Sequence, residues 1–175
     1  IRQGRRIDDN VRKATRFVLA VHMPIVALAL VPTLLHWPAL LLPVHIVLME
    51  LLIDPACSVV FEAEPEASDI MKRAPRPVMD SPFALRALWL PLLQGSGIAA
   101  LLLSAQAWLQ AQGWTLNQSR SVVFGALVLC ALMLILAQRD PAHPLWYRRR
   151  SINPWLRPMS AAVVLLLATV LAVPD

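Results

Sequence analysis

Two carboxylates stand inside an otherwise apolar stretch of this sequence. Residues 40–62 are long enough to cross a bilayer, yet they contain Glu50 and Asp54. Side chains four residues apart lie on one face of a helix. Because a charged side chain at membrane depth costs about 2.5–3.5 kcal/mol or more, such residues usually face a cavity, a partner or an ion. The pattern therefore indicates a cation site to which both acids contribute.

A histidine and two prolines extend this candidate site. His22 either binds a cation or carries a proton, or it packs between helices with its ring bonded to a carbonyl, and the sequence leaves both readings open. Pro24 removes a backbone hydrogen bond and frees the carbonyl of Ala20, and Pro55 does the same four residues after Leu51. Freed carbonyls in membrane helices line cavities or bind ions. We therefore expect both helices to be interrupted near the site.

The elements that must position these residues are membrane-spanning helices. The chain has 175 residues, is 58% hydrophobic and has a mean hydropathy of +0.60, which is too apolar for a soluble domain of this size. Its charges fall in blocks between apolar segments of roughly 17–25 residues, the length that crosses a bilayer. The sequence predicts an all-α membrane protein, a bundle of about five transmembrane helices with a cytosolic helical stalk at the N-terminus. The predicted spans are 14–32, 40–60, 84–110, 121–137 and 155–173.

These spans divide the chain into four regions. They are a cytosolic stalk helix at 1–16, a transmembrane hairpin with the ion site at 14–60, a cytosolic loop at 61–83 and three further transmembrane helices at 84–175. The acids at 62–69 are expected to lie in a solvated loop. In the third span, Gly95 and Gly97 predict close approach of a neighbouring helix.

The basic residues predict the orientation. Fifteen of the 16 Lys and Arg residues lie in the N-terminal lead-in or in and beside the loops after spans two and four, and only Arg120 lies at an opposite turn. This distribution predicts that the N-terminus and both longer loops are cytoplasmic. The formal charge of +5 therefore indicates topology and contact with anionic lipid, not nucleic-acid binding. We expect an integral protein of the bacterial plasma membrane, in contact with the lipid bilayer.

Two further patterns resemble a known family. The lead-in follows G-R-x-I-x-x-N, and the loop after the second span follows D-I-M-x-R-x-P-R. Together they resemble the C-terminal transmembrane region of cation-transporting P-type ATPases of the calcium-pump-like branch, membrane helices five to nine. The resemblance covers residues 1–86, whereas 87–175 match in hydropathy and span order. The matching residues are Gly4, Arg5, Ile7 and Asn10 in the lead-in, and Asp69, Ile70, Met71, Arg73, Pro75 and Arg76 in the loop.

The resemblance implies that the first two spans of this chain supply much of an ion site, and that the stalk couples it to a phosphorylation domain. Where the sixth helix of calcium pumps reads N-x-x-T-D, this chain has Glu50, Ile53 and Asp54. Where the fifth helix has an Asn and, three residues on, a Glu, this chain has His22 and Ile25. The resemblance thus implies Glu50 and Asp54 as metal ligands and His22 as a third cation-binding residue, for a cation whose identity the sequence leaves open.

The family also supplies an acid from its eighth helix, which aligns near Ala131. The site therefore holds fewer oxygen ligands than two Ca²⁺ ions require, since each takes six to eight. The chain has no D-K-T-G phosphorylation loop and no nucleotide-binding domain. Catalytic residues and Mg-ATP are therefore expected only in domains absent from it, and its partner is expected to be the remainder of the ATPase with the first four membrane helices.

Two functions remain open at this point. The first is the transmembrane cation-binding part of an ATP-driven cation-translocating P-type ATPase, with Ca²⁺ among the candidate ions. The chain would then be a fragment of an enzyme, unable to hydrolyse ATP alone. The alternative is a non-catalytic multi-span membrane protein, a remnant or an assembly partner, whose buried acids pair with other helices.

Overall fold

The described part of the chain is entirely helical. The computed structural model describes residues 1–66, 70–72, 85–139 and 156–172, and at positions 52, 54, 56–58, 85, 86, 156, 166 and 169–172 it describes the backbone alone. Most of the loop after the second span and all of the loop after the fourth lie outside these ranges. The elements are α1 (Arg2–Leu34), α2 (Pro43–Pro55), a π-helix (Ala56–Phe61), α3 (Leu85–Ala111), α4 (Leu116–Arg139) and α5 (Leu156–Ala172).

The helices have the lengths of a membrane bundle. Three of those described are long and apolar enough to cross a membrane, namely α1, residues 87–111 of α3, and α4. The 13 residues of α2 continue directly into the six of the π-helix, and α5 has 17 residues. The predicted helical membrane bundle is confirmed, with a helix at each of the five predicted spans. The division into stalk, hairpin, loop and remaining helices stays a prediction.

The first helix runs without a break through the predicted stalk and the first span. Its 33 residues make it about 50 Å long. Pro24 lies inside it, so the structure has no unwound segment there, whereas the sequence predicts an interruption. One lost hydrogen bond is tolerated because the rest of the helix keeps its bonds and packs against neighbours. At Pro55, by contrast, the α-helix gives way to a π-helix.

Helix α3 approaches α1 at the carbonyl that Pro24 frees. A Cβ atom at Gly95 would lie 2.5 Å from the Ala20 oxygen and 2.6 Å from the Cβ atom of Met23. Both distances are shorter than van der Waals contact, so only glycine fits between the two helices. Around the corresponding atom at Gly97 nothing lies within 4 Å. Of the two glycines predicted to permit close approach, Gly95 is the one that does so.

Two polar pairs join α3 to α4. The Gln106 side chain donates a hydrogen bond from Nε2 to Ser119 Oγ at 3.0 Å, near the turn between the helices. Gln138 Nε2 donates to Gln94 Oε1 at 2.7 Å, nearer the other end. Such interhelical hydrogen bonds contribute about 0.6 kcal/mol each in a membrane protein. Because they lie at separate levels along the helices, together they fix the register of the antiparallel pair.

At the N-terminal end of α1, polar contacts connect the helix to the segment after the π-helix. Asn10 Nδ2 donates to the Glu64 carbonyl at 3.1 Å, and Arg6 Nε donates to the same carbonyl at 3.2 Å. The Glu64 side chain accepts a hydrogen bond from Arg139 Nε at 2.8 Å. Glu64 is almost fully buried, so the expectation that the acids at 62–69 lie in a solvated loop is wrong for this residue. The buried end of α4, which supplies Arg139, is the physical reason.

Two further contacts lie closer to the chain start. Arg5 donates to the carbonyl of Ile70 at 2.8 Å, so residues from the two patterns that carry the family resemblance meet here. Arg2 pairs with Glu66 in an exposed ion pair, with Nε 2.8 Å from Oε2. The hydrogen bond from Arg2 lowers the pKa of the Glu66 carboxyl and raises the pKa of Arg2.

We expect Gly95→Ala to destabilise the packing of α3 on α1 by about 1–3 kcal/mol, because the added methyl group meets backbone oxygen and a Cβ atom that cannot move alone. The matched control is Gly97→Ala, which meets no atom and should be neutral or stabilising by about 0.5–1 kcal/mol. Denaturation of the purified protein in detergent measures both. Equal stability of the two variants would contradict the close approach at Gly95.

The Arg2–Glu66 pair predicts a pH dependence. Since its pKa is lower in the folded state than in the unfolded state, Glu66 contributes stability that is present above the unfolded value and lost as the pH falls through the folded one. Both side chains are solvated, so the contribution is small. In an NMR titration of Glu66, Arg2→Gln should raise the midpoint, and Arg5→Gln should leave it unchanged. A midpoint unaffected by Arg2→Gln would show that Arg2 does not cause the shift.

Candidate cation site

The structure brings together two of the three side chains that the sequence predicts to bind a cation. His22 Nε2 of α1 lies 3.4 Å from Glu50 Oε1 of α2. The two side chains are 39% and 42% exposed, so the pair lies on an open face of the two helices. An imidazole nitrogen and a carboxylate oxygen at this separation can bind one cation jointly, or share one proton.

The contact made by the other ring nitrogen of His22, Nδ1, indicates that Nε2 has the lone pair that could bind a cation. Nδ1 lies 2.8 Å from the carbonyl oxygen of Val18, one turn earlier in α1. Because a carbonyl only accepts hydrogen bonds, Nδ1 carries a hydrogen, and in the neutral ring the lone pair belongs to Nε2. The His22 ring therefore bonds a carbonyl of its own helix while its second nitrogen faces Glu50, and its role in binding a cation stays a prediction.

The position of Glu50 follows from the pattern of α2. Met49 and Ile53 are buried in the core, whereas Val47 and Leu51 are exposed. Glu50 falls at the boundary between these two faces, where its carboxylate reaches α1 while remaining open on one side. The register of α2 is thus set by its apolar residues, and Glu50 is positioned as a consequence.

Asp54 lies in the last turn of α2, four residues after Glu50 and on the same face by helical periodicity. Its side chain lies outside what the structure describes, so its role as a ligand stays a prediction. Pro55 directly follows, and the π-helix begins at Ala56. Short π-helical turns are rare and occur frequently at functional sites. The change of helix type thus lies directly beside Asp54.

On the other side of α2, the described residues form a narrow apolar cavity between α1, α2, α4 and α5. Phe17, Met49, Ile53, Ala131 and Val163 are among the residues that line it. Ala131, which aligns near the acid of the eighth helix in the resembled family, thus has only apolar neighbours there. Among the residues that the structure describes, no group of three or more His, Cys, Asp or Glu could hold a metal ion.

Sequence reasoning does not identify the buried pair of Glu64 and Arg139. Both belong to charged stretches next to predicted spans, where the usual environment is water or lipid headgroups. Their spacing of 75 residues gives no local signal that they meet. The sequence offers one indirect sign. Asn10, which binds the Glu64 carbonyl in the structure, belongs to the stalk pattern that carries the family resemblance.

The comparison with protein families bears on most of the chain. Residues 38–175 match the family described as "Cation transporting ATPase, C-terminus". The chain belongs to this family. The match includes residues 87–175, for which the sequence patterns give only hydropathy, and it begins after the helix that carries His22. The chain is thus the C-terminal region of a P-type cation ATPase of the calcium-pump-like type, and an integral membrane protein.

Two curated relatives of this cation-transporting ATPase region come from bacilli. A "Calcium-transporting ATPase" of Bacillus subtilis (strain 168) is 28% identical over 142 residues, which is 80% of this chain and 16% of the relative. A "Calcium-transporting ATPase 1" of Bacillus cereus (strain ATCC 10987 / NRS 248) is 30% identical over 84 residues, or 48% of this chain and 10% of the relative. The chain therefore spans a small part of the length of these relatives. No solved structure matches it.

Proposed function

We propose that this chain supplies part of the transmembrane cation site of an ATP-driven cation pump, with His22, Glu50 and Asp54 contributing to one site. The observation that carries the proposal is the 3.4 Å separation of His22 Nε2 and Glu50 Oε1 on an open face of α1 and α2. A nitrogen and an oxygen ligand from two antiparallel helices provide a site whose geometry changes when the helices move relative to each other.

Protons and cations compete for the two atoms. Without a cation, Nε2 of His22 faces the Glu50 carboxylate, because Nδ1 already donates to the Val18 carbonyl. A bound cation takes the Nε2 lone pair and the carboxylate oxygen together. Carboxylates suit Ca²⁺, Mg²⁺ and Mn²⁺, and imidazole extends the range to softer divalent ions. The names of the two bacillar relatives make Ca²⁺ the first ion to test.

The site is proposed to be completed by the rest of the ATPase. A divalent ion such as Ca²⁺ takes six to eight ligands, more than His22, Glu50 and Asp54 provide. The half-exposed faces of His22 and Glu50 leave room for ligands from other helices, for which the first four membrane helices of the pump are the candidates. Mg-ATP would bind in the pump's cytosolic domains, with the N-terminal end of α1 on the cytoplasmic side of a bacterial plasma membrane.

The apolar cavity on the other side of α2 is unsuited to a cation. Ile53 and Ala131 line that cavity and offer no ligand atoms from their side chains. A hydrated or partly hydrated cation would lose several hydrogen bonds on entering it. The open face of α1 and α2 is therefore the proposed location of the cation.

A second function, a non-catalytic membrane protein, is favoured by one observation. Glu50 faces a partner on another helix, as that alternative expects of acids in the spans. In this case His22 and Glu50 would hold the hairpin together and bind no ion. The two functions differ in what the loss of Glu50 changes: cation affinity in a pump, and only stability in a structural pair.

We expect Glu50→Gln to lower the apparent cation affinity of the intact ATPase by about 10–100-fold or more, since even outer-shell changes at metal sites have effects of this size. The amide keeps the shape of the side chain and removes its negative charge. The measurement is cation-dependent phosphorylation by ATP, repeated with Ca²⁺, Mn²⁺ and Mg²⁺. Glu62→Gln is the matched control, because Glu62 is exposed and its contact with Arg6 uses the backbone carbonyl.

Wild-type cation affinity in Glu50→Gln, together with a lower denaturation midpoint, would reject the cation site and support the structural pair. Asp54→Asn tests the third predicted ligand in the same assay and should have an effect of the same direction. A loss of affinity in Glu62→Gln as large as in Glu50→Gln would show that the effect is not specific to the site.

A further inference from the structure

Glu64 joins two parts of the chain through different atoms. Its backbone carbonyl accepts hydrogen bonds from Asn10 and Arg6 of α1. Its carboxylate pairs with Arg139, the last residue of α4, at 2.8 Å. The side chains of Glu64 and Arg139 are 6% and 9% exposed, so the ion pair is buried. One residue thus connects the N-terminal part of α1 with the end of α4.

Stability alone does not account for this ion pair. Burying two charges removes their hydration, and replacement by apolar residues of similar volume is often neutral or stabilising. An ion pair does, however, impose a distance and a direction, which apolar contacts do not. Nearby contacts such as that of Phe17 with Phe61 leave the helices free to shift slightly, whereas a hydrogen bond of 2.8 Å weakens steeply when its geometry changes.

Gln138, the residue before Arg139, attaches the same end of α4 to a different helix. Gln138 donates to Gln94 of α3 at 2.7 Å, so consecutive residues attach α4 to α3 and to Glu64. On the other side, α1 is unbroken between Asn10 and His22, a distance of about 18 Å along the helix. A tilt of the N-terminal part of α1 therefore acts on His22 directly and on α4 through Glu64.

We propose that Glu64 is a positioning residue that transmits movement of the N-terminal part of α1 to the end of α4. The inference rests on the proposed function, because it assigns Glu64 to the coupling between ATP-driven movement and the cation site. Glu64 does not bind the cation itself. It acts through Arg139, and it keeps α4 in step with α1 while the candidate site opens and closes between α1 and α2.

The test uses the intact ATPase that contains this chain. The variants are Glu64→Gln, Arg139→Gln and the charge exchange that combines Glu64→Arg with Arg139→Glu. The matched control is Glu66→Gln, which removes a carboxylate two residues away whose partner, Arg2, is exposed. For each protein, three quantities are measured: the cation concentration for half-maximal phosphorylation, the steady-state turnover, and the midpoint of thermal denaturation.

We expect the two single variants to lower turnover by about 10–100-fold, since displacement of a distant group by an ångström has effects of this size. The half-maximal cation concentration should change little, because neither Glu64 nor Arg139 is a proposed cation ligand. The charge exchange should recover most of the turnover. Glu66→Gln should leave turnover and cation dependence unchanged.

Wild-type turnover in both single variants would overturn the proposal. So would a loss of turnover that parallels a loss of folded protein and that the charge exchange does not reverse, because this is the behaviour of a purely structural pair. If the wild-type protein shows no cation-stimulated phosphorylation, the proposed function itself is rejected and the coupling role with it. Cation-stimulated phosphorylation of the wild-type protein therefore separates a failure of the coupling role alone from a failure of the proposed function.

Discussion

The hydrogen bond from Asn10 to the Glu64 carbonyl closes the open end of the hairpin formed by α1, α2 and the π-helix. The turn after α1 joins the other end, so the two segments are held antiparallel in one register. His22 lies 12 residues after Asn10 on α1, and its partner Glu50 lies 14 residues before Glu64. The π-helix and the turn at 62–64 lie in that longer stretch and accommodate the difference. The contact between His22 and Glu50 depends on this register.

The same chain shows how polar groups are accommodated in an apolar bundle. The Ala20 carbonyl, which Pro24 deprives of its helical partner, lies against the backbone of α3 at Gly95. Gln138 of α4 is paired with Gln94 of α3, and the buried Glu64 carboxylate is paired with Arg139 of α4. Since a polar group left unpaired in hydrocarbon costs several kcal/mol, these pairings select one packing arrangement from the many that the apolar residues alone would allow. The candidate site differs from these pairs, because His22 and Glu50 remain partly open.

Sequence patterns predict the helical class and the order of the spans, and they single out His22 and Glu50, two side chains that the structure brings together. They do so because apolar length and isolated charges are local properties, as Glu50 illustrates. They do not predict that Pro24 leaves α1 intact, because the lost hydrogen bond is visible in the sequence and the contacts around the rest of the helix are not. They also misplace Glu64, because its burial requires the end of α4 to arrive from 75 residues away. The proximity of His22 and Glu50 is similarly a property of the register, which the spacing of the residues does not determine.

Pulsed EPR of Mn²⁺ bound to the intact protein tests whether one cation binds between His22 and Glu50. The nuclear spin of a directly bound imidazole nitrogen couples to the Mn²⁺ electron spin. We expect coupling to one histidine nitrogen, lost in His22→Gln and retained in His45→Gln. His45 is the matched control because its Nδ1 accepts a hydrogen bond from the Leu42 amide and its ring packs on Phe124. Nitrogen coupling that persists in His22→Gln, or that is absent from the wild-type protein, would show that the cation does not bind to His22.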